Sequence, residues 1–424
     1  MDLVTTPNAR LGIDPDAVPD TYVSRGFDQL SDEQLFGIAA AVVAQPKQEP
    51  ADSFILHSPL ELLARRSLLS IVPPDRRDAV RERMLWVAAT YEQAGETIDP
   101  RPDADFESPF AAVSALGAAI AEKDLDATDR AAAWLGRHAP TDAVMTLGDA
   151  LVDSLAAAGH GAIYFSLLAR TAASSRPAIG LLRPLVREIA RLPELRIEWI
   201  RSGLTSAPTA GNAAADSRAF AQALAATPRL GLPGSDFVFP TVHQVDNGGV
   251  AHDVIAPALP ANFGAAGAAI MRVATTSMLQ DDPTFAPYGW THCLTLPQAV
   301  LNIRPWLSDN ARTTAIAATY VVAFRAAESS GEVDIDWRPA PTSVAPRDAI
   351  DADPETAASA VFHADDELLE AVVPELAAHA ASHHDAHLAK YTKACIAAGV
   401  ADPAARRLYL AAAAYLRAWW SSNE

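Results

Sequence analysis

The sequence predicts an all-α protein, a compact multi-helix domain with long irregular loops and at most a small hairpin. Three observations lead there. Capping signals stand at the head of runs whose apolar residues recur three and four apart, the period of a helix buried on one face. Half of the 424 residues are apolar and a fifth are charged, the balance of a chain that buries a core. Strand signals are confined to "DFVFPTVHQV" and "VDIDW", each beside prolines or glycines that would hold it to a loop or a hairpin.

Taken in order, residues 1–30 carry acids and prolines and predict an extended segment. They lack the basic start and apolar run of a secretory signal, so a cytoplasmic protein is expected. "SDEQLFGIAAAVVA" opens with Ser31 and Gln34 at capping-box spacing; "SPLELLARRSLL" offers Ser58 as N-cap, Pro59 at the first helical position and Glu61 closing a second box. Amphipathic runs follow at "PDRRDAVRERMLWVAATYEQ", "SPFAAVSALGAAIAEK", "TDAVMTLGDALVDSLAAA" and "RPLVREIARL". Later come "DNARTTAIAATYVVAFRAAE", the stretch 354–399, and "DPAARRLYLAAAAYLRAWW", where Asp402 caps and Pro403 begins the helix. Residues 31–424 read as a single helical domain. Within it, 229–264 is a long loop and candidate lid, and 331–354 an irregular excursion.

Charge narrows the function. Thirty-three basic against fifty-two acidic residues leave −19, a field that repels phosphate backbones and anionic lipids, so neither nucleic acid nor membrane is an expected partner. No apolar stretch approaches the roughly 20 residues that cross a bilayer. Cys293 and Cys395 stand alone, which excludes a disulfide framework and a thiolate zinc module. No G-x-G-x-x-G follows a strand, so no integral dinucleotide-binding domain is expected, and a use of NADPH is not decided.

Chemistry centres on the histidines, eleven in all. His57 stands just ahead of the second capping signal, His160 lies between two glycines at the head of an apolar helix, and His292 is set among tryptophan, cysteine and leucines. A ring buried in such surroundings must be hydrogen-bonded or coordinated. In "ASHHDAHLAKYTKAC", His383, His384, His387 and Lys390 stand three and four apart, neighbours on a helix. Spacing alone suits a solvated, charge-speckled helix as well as a site, and no HExxH or two-histidine-one-carboxylate string appears.

Together these segments resemble the questin oxidase-like family, oxygenases of aromatic polyketide pathways. The likeness runs from about residue 55 to 420. It rests on "LHSPLELLARRSLL", "GHGAIYFSLLAR", "THCLTLPQAVL" and "HLAKYTKACIAAGVADPAARRLYLAAAAYLRAWW". Leu56 replaces a usual asparagine and Tyr164 a usual arginine. The resemblance implies an O2-dependent, Baeyer–Villiger-like oxidation or C–C cleavage of an anthraquinone-type substrate.

Two mechanisms suit those residues. In one, His57, His160, His292 and His387 converge on a redox metal, Fe(II), with Lys390 carboxylated as an anionic ligand, as the resemblance implies; imidazole suits such an ion. In the other no metal is bound, and a histidine, whose pKa lies near 6.5, acts as general base on a phenol whose anion reduces O2. Trp290 and the 229–264 loop are then candidate walls of an apolar pocket, and Tyr164 a candidate donor to a quinone oxygen. From a different class comes a non-catalytic helical protein that binds a small molecule or serves as a scaffold.

Overall fold

The computed structural model of the chain describes residues 9–49, 52–98, 104–201, 213–230 and 237–424. Among these residues helix is the only regular structure, and extended pairing is limited to two isolated bridges, Lys47 with Thr97 and Ser154 with Arg196. The all-α expectation holds. The contacts divide the chain into two compact units, 1–196 with 381–386, and 197–380 with 387–424.

In the first unit, 9–30 is not extended. Asp14 caps a short 3-10 turn that leads into a helix over Val18–Ser24, whose Val18 and Tyr22 are buried. Apolar residues one turn apart gave that short piece something to bury. The longer helices are α1 (Asp32–Val43), α2 (Ser53–Leu69), α3 (Arg77–Gln93), α4 (Pro109–Ala121), α5 (Leu125–His138), α6 (Gly161–Ala172) and α7 (Leu182–Arg191). The capping box on α1 forms as read: Ser31 accepts from the Gln34 amide, and Gln34 accepts in return from that of Ser31. α2 packs on α3 and α6, and α5 and α6 both flank α7. "TDAVMTLGDALVDSLAAA" yields only two short turns of helix, Thr141–Met145 and Gly148–Leu151.

The second unit holds α8 (Ala213–Ala225), α9 (Val238–Asn247), α10 (Phe263–Gln280), α11 (Thr291–Ile303), α12 (Asn310–Glu328), α13 (Pro354–His363), α14 (Asp366–Ser382), α15 (Ala386–Ala401) and α16 (Arg406–Asn423). Helix α12, capped by Asp309, is buried on every side from Thr313 to Glu328. Its threonines 313, 314 and 319 turn their hydroxyls back onto carbonyls one turn earlier, which satisfies them without water. α9, α10 and α11 pack on it, and α10 and α13 pack on α16.

Two expectations fail here. The stretch 229–264 is mostly helical, with α9 and a further helix over Val250–Ile255. Val238, Val242 and Val245 recur three and four apart and are buried, so burial of that stripe outweighs the β-propensity of the valines. Residues 231–236 of the candidate lid lie outside the described residues. The second cap also differs: Asp402 precedes a 3-10 turn rather than α16, and its carboxylate takes Arg272 and Tyr409. Of the excursion read at 331–354, residues 331–345 are irregular, and a short helix over Pro346–Ala349 breaks the rest. No helix among the described residues is long and apolar enough to cross a membrane.

Candidate functional site: two histidine pairs

The first pair begins with a misread cap. Asp52, not Ser58, caps α2, accepting from the Ile55 amide at 2.8 Å. Pro59 therefore sits inside the helix, where it removes one ladder bond. Ser58 donates to the Phe54 carbonyl and Glu61 accepts from Arg65, so neither residue caps anything. His57 gains a place on the helix instead of before it, and its Nδ1 lies 2.6 Å from the Ser53 carbonyl oxygen. A carbonyl only accepts. Nδ1 must carry the proton, which leaves the lone pair on Nε2.

His160 reaches the same state by another route. Ala157, Ala158 and Gly159 run consecutively at φ 53, 53 and 83, a left-handed turn in which two alanines are strained. That turn aims the Ala158 carbonyl at His160 Nδ1, 3.1 Å away. Gly161 follows because its backbone presses on Ser154: a Cβ there would meet the Ser154 carbonyl oxygen at 3.3 Å. The two rings stand edge to face with centroids 4.7 Å apart, and each presents a nitrogen within 4.8 Å of the other. Both are locked by backbone carbonyls in the tautomer that offers Nε2, the arrangement that orients imidazole ligands in metal sites.

The second pair lies in the other unit. A five-residue π-helical turn, Ala286–Trp290, runs directly into α11 and delivers His292; such turns recur at functional sites. The His292 ring is 3% exposed and stacks on Phe324 at 5.9 Å. His387, on α15, meets it edge to face at 5.1 Å, and Tyr288 lies against His387 at 4.9 Å. Lys390 follows one turn later on α15 and is buried, 3% exposed.

Sequence reasoning missed two features of this half. The Glu328 carboxylate fills the space a side chain at Gly289 would take: a Cβ there would lie 1.8 Å from Oε2. A side chain at residue 289 would therefore have to displace the buried Glu328 carboxylate. Tyr288 was also unread, although "PYGWTH" places it four residues before His292, one turn away on a helix.

Other predicted residues take different roles. The Tyr164 hydroxyl donates to the Leu181 carbonyl at 2.7 Å, and burial pushes the phenol well above its ordinary range. Its proton is committed, so it is not the donor to a substrate oxygen that the sequence suggested. Trp290 is fully buried with its indole N–H on the Asp282 carbonyl, a core residue rather than a pocket wall. His383 accepts the Asp385 amide at Nδ1, which places its proton on Nε2, the opposite tautomer to the first pair. Its segment is anchored: Arg65 holds the carbonyls of Ala381 and His383, Arg83 that of His384, and Glu61 accepts from both arginines. The exposed His243 and His252 pair with Asn247 and Asp253.

His57 and His160 fit a borderline transition metal, as imidazoles whose Nδ1–H groups are fixed by backbone carbonyls. Compared with protein-family models, curated proteins and solved structures, the chain finds no match.

Proposed function

We propose that this chain is an oxygenase that uses O2 in a Baeyer–Villiger-like oxidation or C–C cleavage of an anthraquinone-type aromatic polyketide. The observation that carries the reading is the His57–His160 pair, in which two backbone carbonyls fix both rings with Nε2 as the basic atom. His292, His387 and Lys390 are assigned to the same chemistry because His292 and His387 repeat the edge-to-face packing of the first two rings, and Lys390 lies one turn from His387. Tyr164 and Trp290 are not assigned to it.

An iron ion ligated by imidazoles of such a pair would supply redox chemistry toward O2. The chain's own contribution is proton handling and water exclusion. With no metal bound, Nε2 of His57 or His160 would instead take the phenolic proton, and the resulting phenolate is electron-rich enough to reduce O2. With a hydroquinone-type substrate the ring supplies the two electrons of a monooxygenation, one oxygen atom enters the product and the other leaves as water. A quinone substrate would instead draw those electrons from NADPH.

The test is iron content and oxygen uptake of protein purified without an affinity tag, alongside His57→Ala, His160→Ala, His292→Ala and His387→Ala. Parallel loss of iron and uptake in all four supports a metal centre. Full uptake without iron, with one histidine dominant, supports general-base chemistry. Unchanged uptake in all four variants contradicts the reading.

A further inference from the structure

The elements that hold His57 and His160 also wall a cavity of about 20 Å³, room for one or two molecules the size of water. Ile55, Leu56 and Pro59 reach it from α2, and Ala157 from the strained turn. Tyr164, whose backbone N–H bonds the His160 carbonyl at 2.9 Å, closes another side. Its polar wall residues are turned to other work, Glu188 among them, whose carboxylate accepts from Arg191 Nε at 3.1 Å. The Tyr91 hydroxyl donates to the Gln45 carbonyl and the Tyr164 hydroxyl to that of Leu181. Lys47 donates to Thr97 Oγ1 at 3.1 Å and to the carbonyls of Glu92 and Gly95, with its ammonium over the Tyr91 ring. A water held here would find few of the two to four partners that make burial worthwhile, whereas a small apolar guest needs none.

Lys47 also lines a polar groove of about 420 Å³ whose walls include Arg10, Glu92 and Glu96. It is the partition between the groove and the cavity. We propose that the cavity is a docking site for molecular oxygen, entered from the groove past Lys47. The inference rests on the oxygenase reading for its use of O2, and on the cavity's chemistry alone for the class of guest.

Xenon, an apolar sphere of similar size, is the probe. Crystals of the full chain under xenon pressure should show an atom between Leu56, Tyr91 and Tyr164; an ordered water there instead, or no xenon, overturns the proposal. Filling the space with Leu56→Phe should raise the KM for O2 several-fold and leave that for the aromatic substrate unchanged, and Lys47→Met, which removes the tether, should shift the KM for O2 alone. Equal KM values for O2 in wild type and both variants overturn the delivery role. Xenon bound in a chain that consumes no O2 supports the apolar guest and sinks the oxygenase reading, so the two failures are told apart.

Discussion

His57 and His160 owe their chemistry to two carbonyl oxygens, those of Ser53 and Ala158. The second is aimed by strain, which makes a separable prediction. Ala158→Gly relieves a left-handed alanine and should raise stability by about 1 kcal/mol. The same change loosens the carbonyl that orients His160, so oxygen uptake should fall several-fold while the thermal midpoint rises; a rise in both would detach the strain from the site. The thiols make a second prediction at this scale. Burial pushes both Cys293 and Cys395 far above the ordinary thiol range. A thiol reagent at pH 8 should therefore label neither in the folded protein and both in denaturant. That these histidines need partners was legible in residue types: a ring between two glycines or among leucines must be hydrogen-bonded or coordinated. Tyr164 was not legible, because its partner, the Leu181 carbonyl, belongs to a distant turn.

Among elements, local signals were readable where the helix ends where its sequence pattern does. Ser31→Ala should cost about 1 kcal/mol in urea unfolding, since the capping box on α1 forms in full. The box at Ser58 misled because an equally good cap, Asp52, lies six residues earlier and lengthens α2 through Pro59. The stretch 229–264 misled because Asn247, Gly248 and Gly249 mark the boundary between two short helices rather than a loop. The π-turn was beyond local reading altogether, since the reason for Gly289 is the Glu328 carboxylate on α12. Gly289→Ala should destabilise by roughly 1–3 kcal/mol through overpacking, and Glu328→Ala in the same chain should return part of that loss, a non-additivity visible in a double-mutant cycle.

At the scale of the whole molecule, the acidic balance of −19 sets both partners and pH response. Binding to duplex DNA or to anionic vesicles should be undetectable by fluorescence anisotropy at physiological salt. Asp402 is pushed up by burial, but its bonds to Arg272 and Tyr409 outweigh that and hold its pKa below the ordinary carboxylate value. A depressed folded pKa contributes stability above the unfolded value, which is lost as pH falls through the folded one. Asp402→Asn should thus cost about 1 kcal/mol at pH 7, and the difference from wild type should vanish in strong acid. Fold class followed from periodicity spread over the whole chain, which no single residue can spoil. The site did not, because a histidine's tautomer depends on which carbonyl its ring meets.

The most direct measurement is oxygen uptake in 18O2 by the tag-free chain with a dihydroxyanthraquinone-type substrate, with and without NADPH, the product read by mass. The account predicts uptake in proportion to substrate lost, with at least one 18O atom in an oxidised or ring-opened product, and abolition of both by His57→Ala or His160→Ala. Substrate bound and recovered unchanged, with no oxygen consumed, would contradict it and leave a helical binding protein.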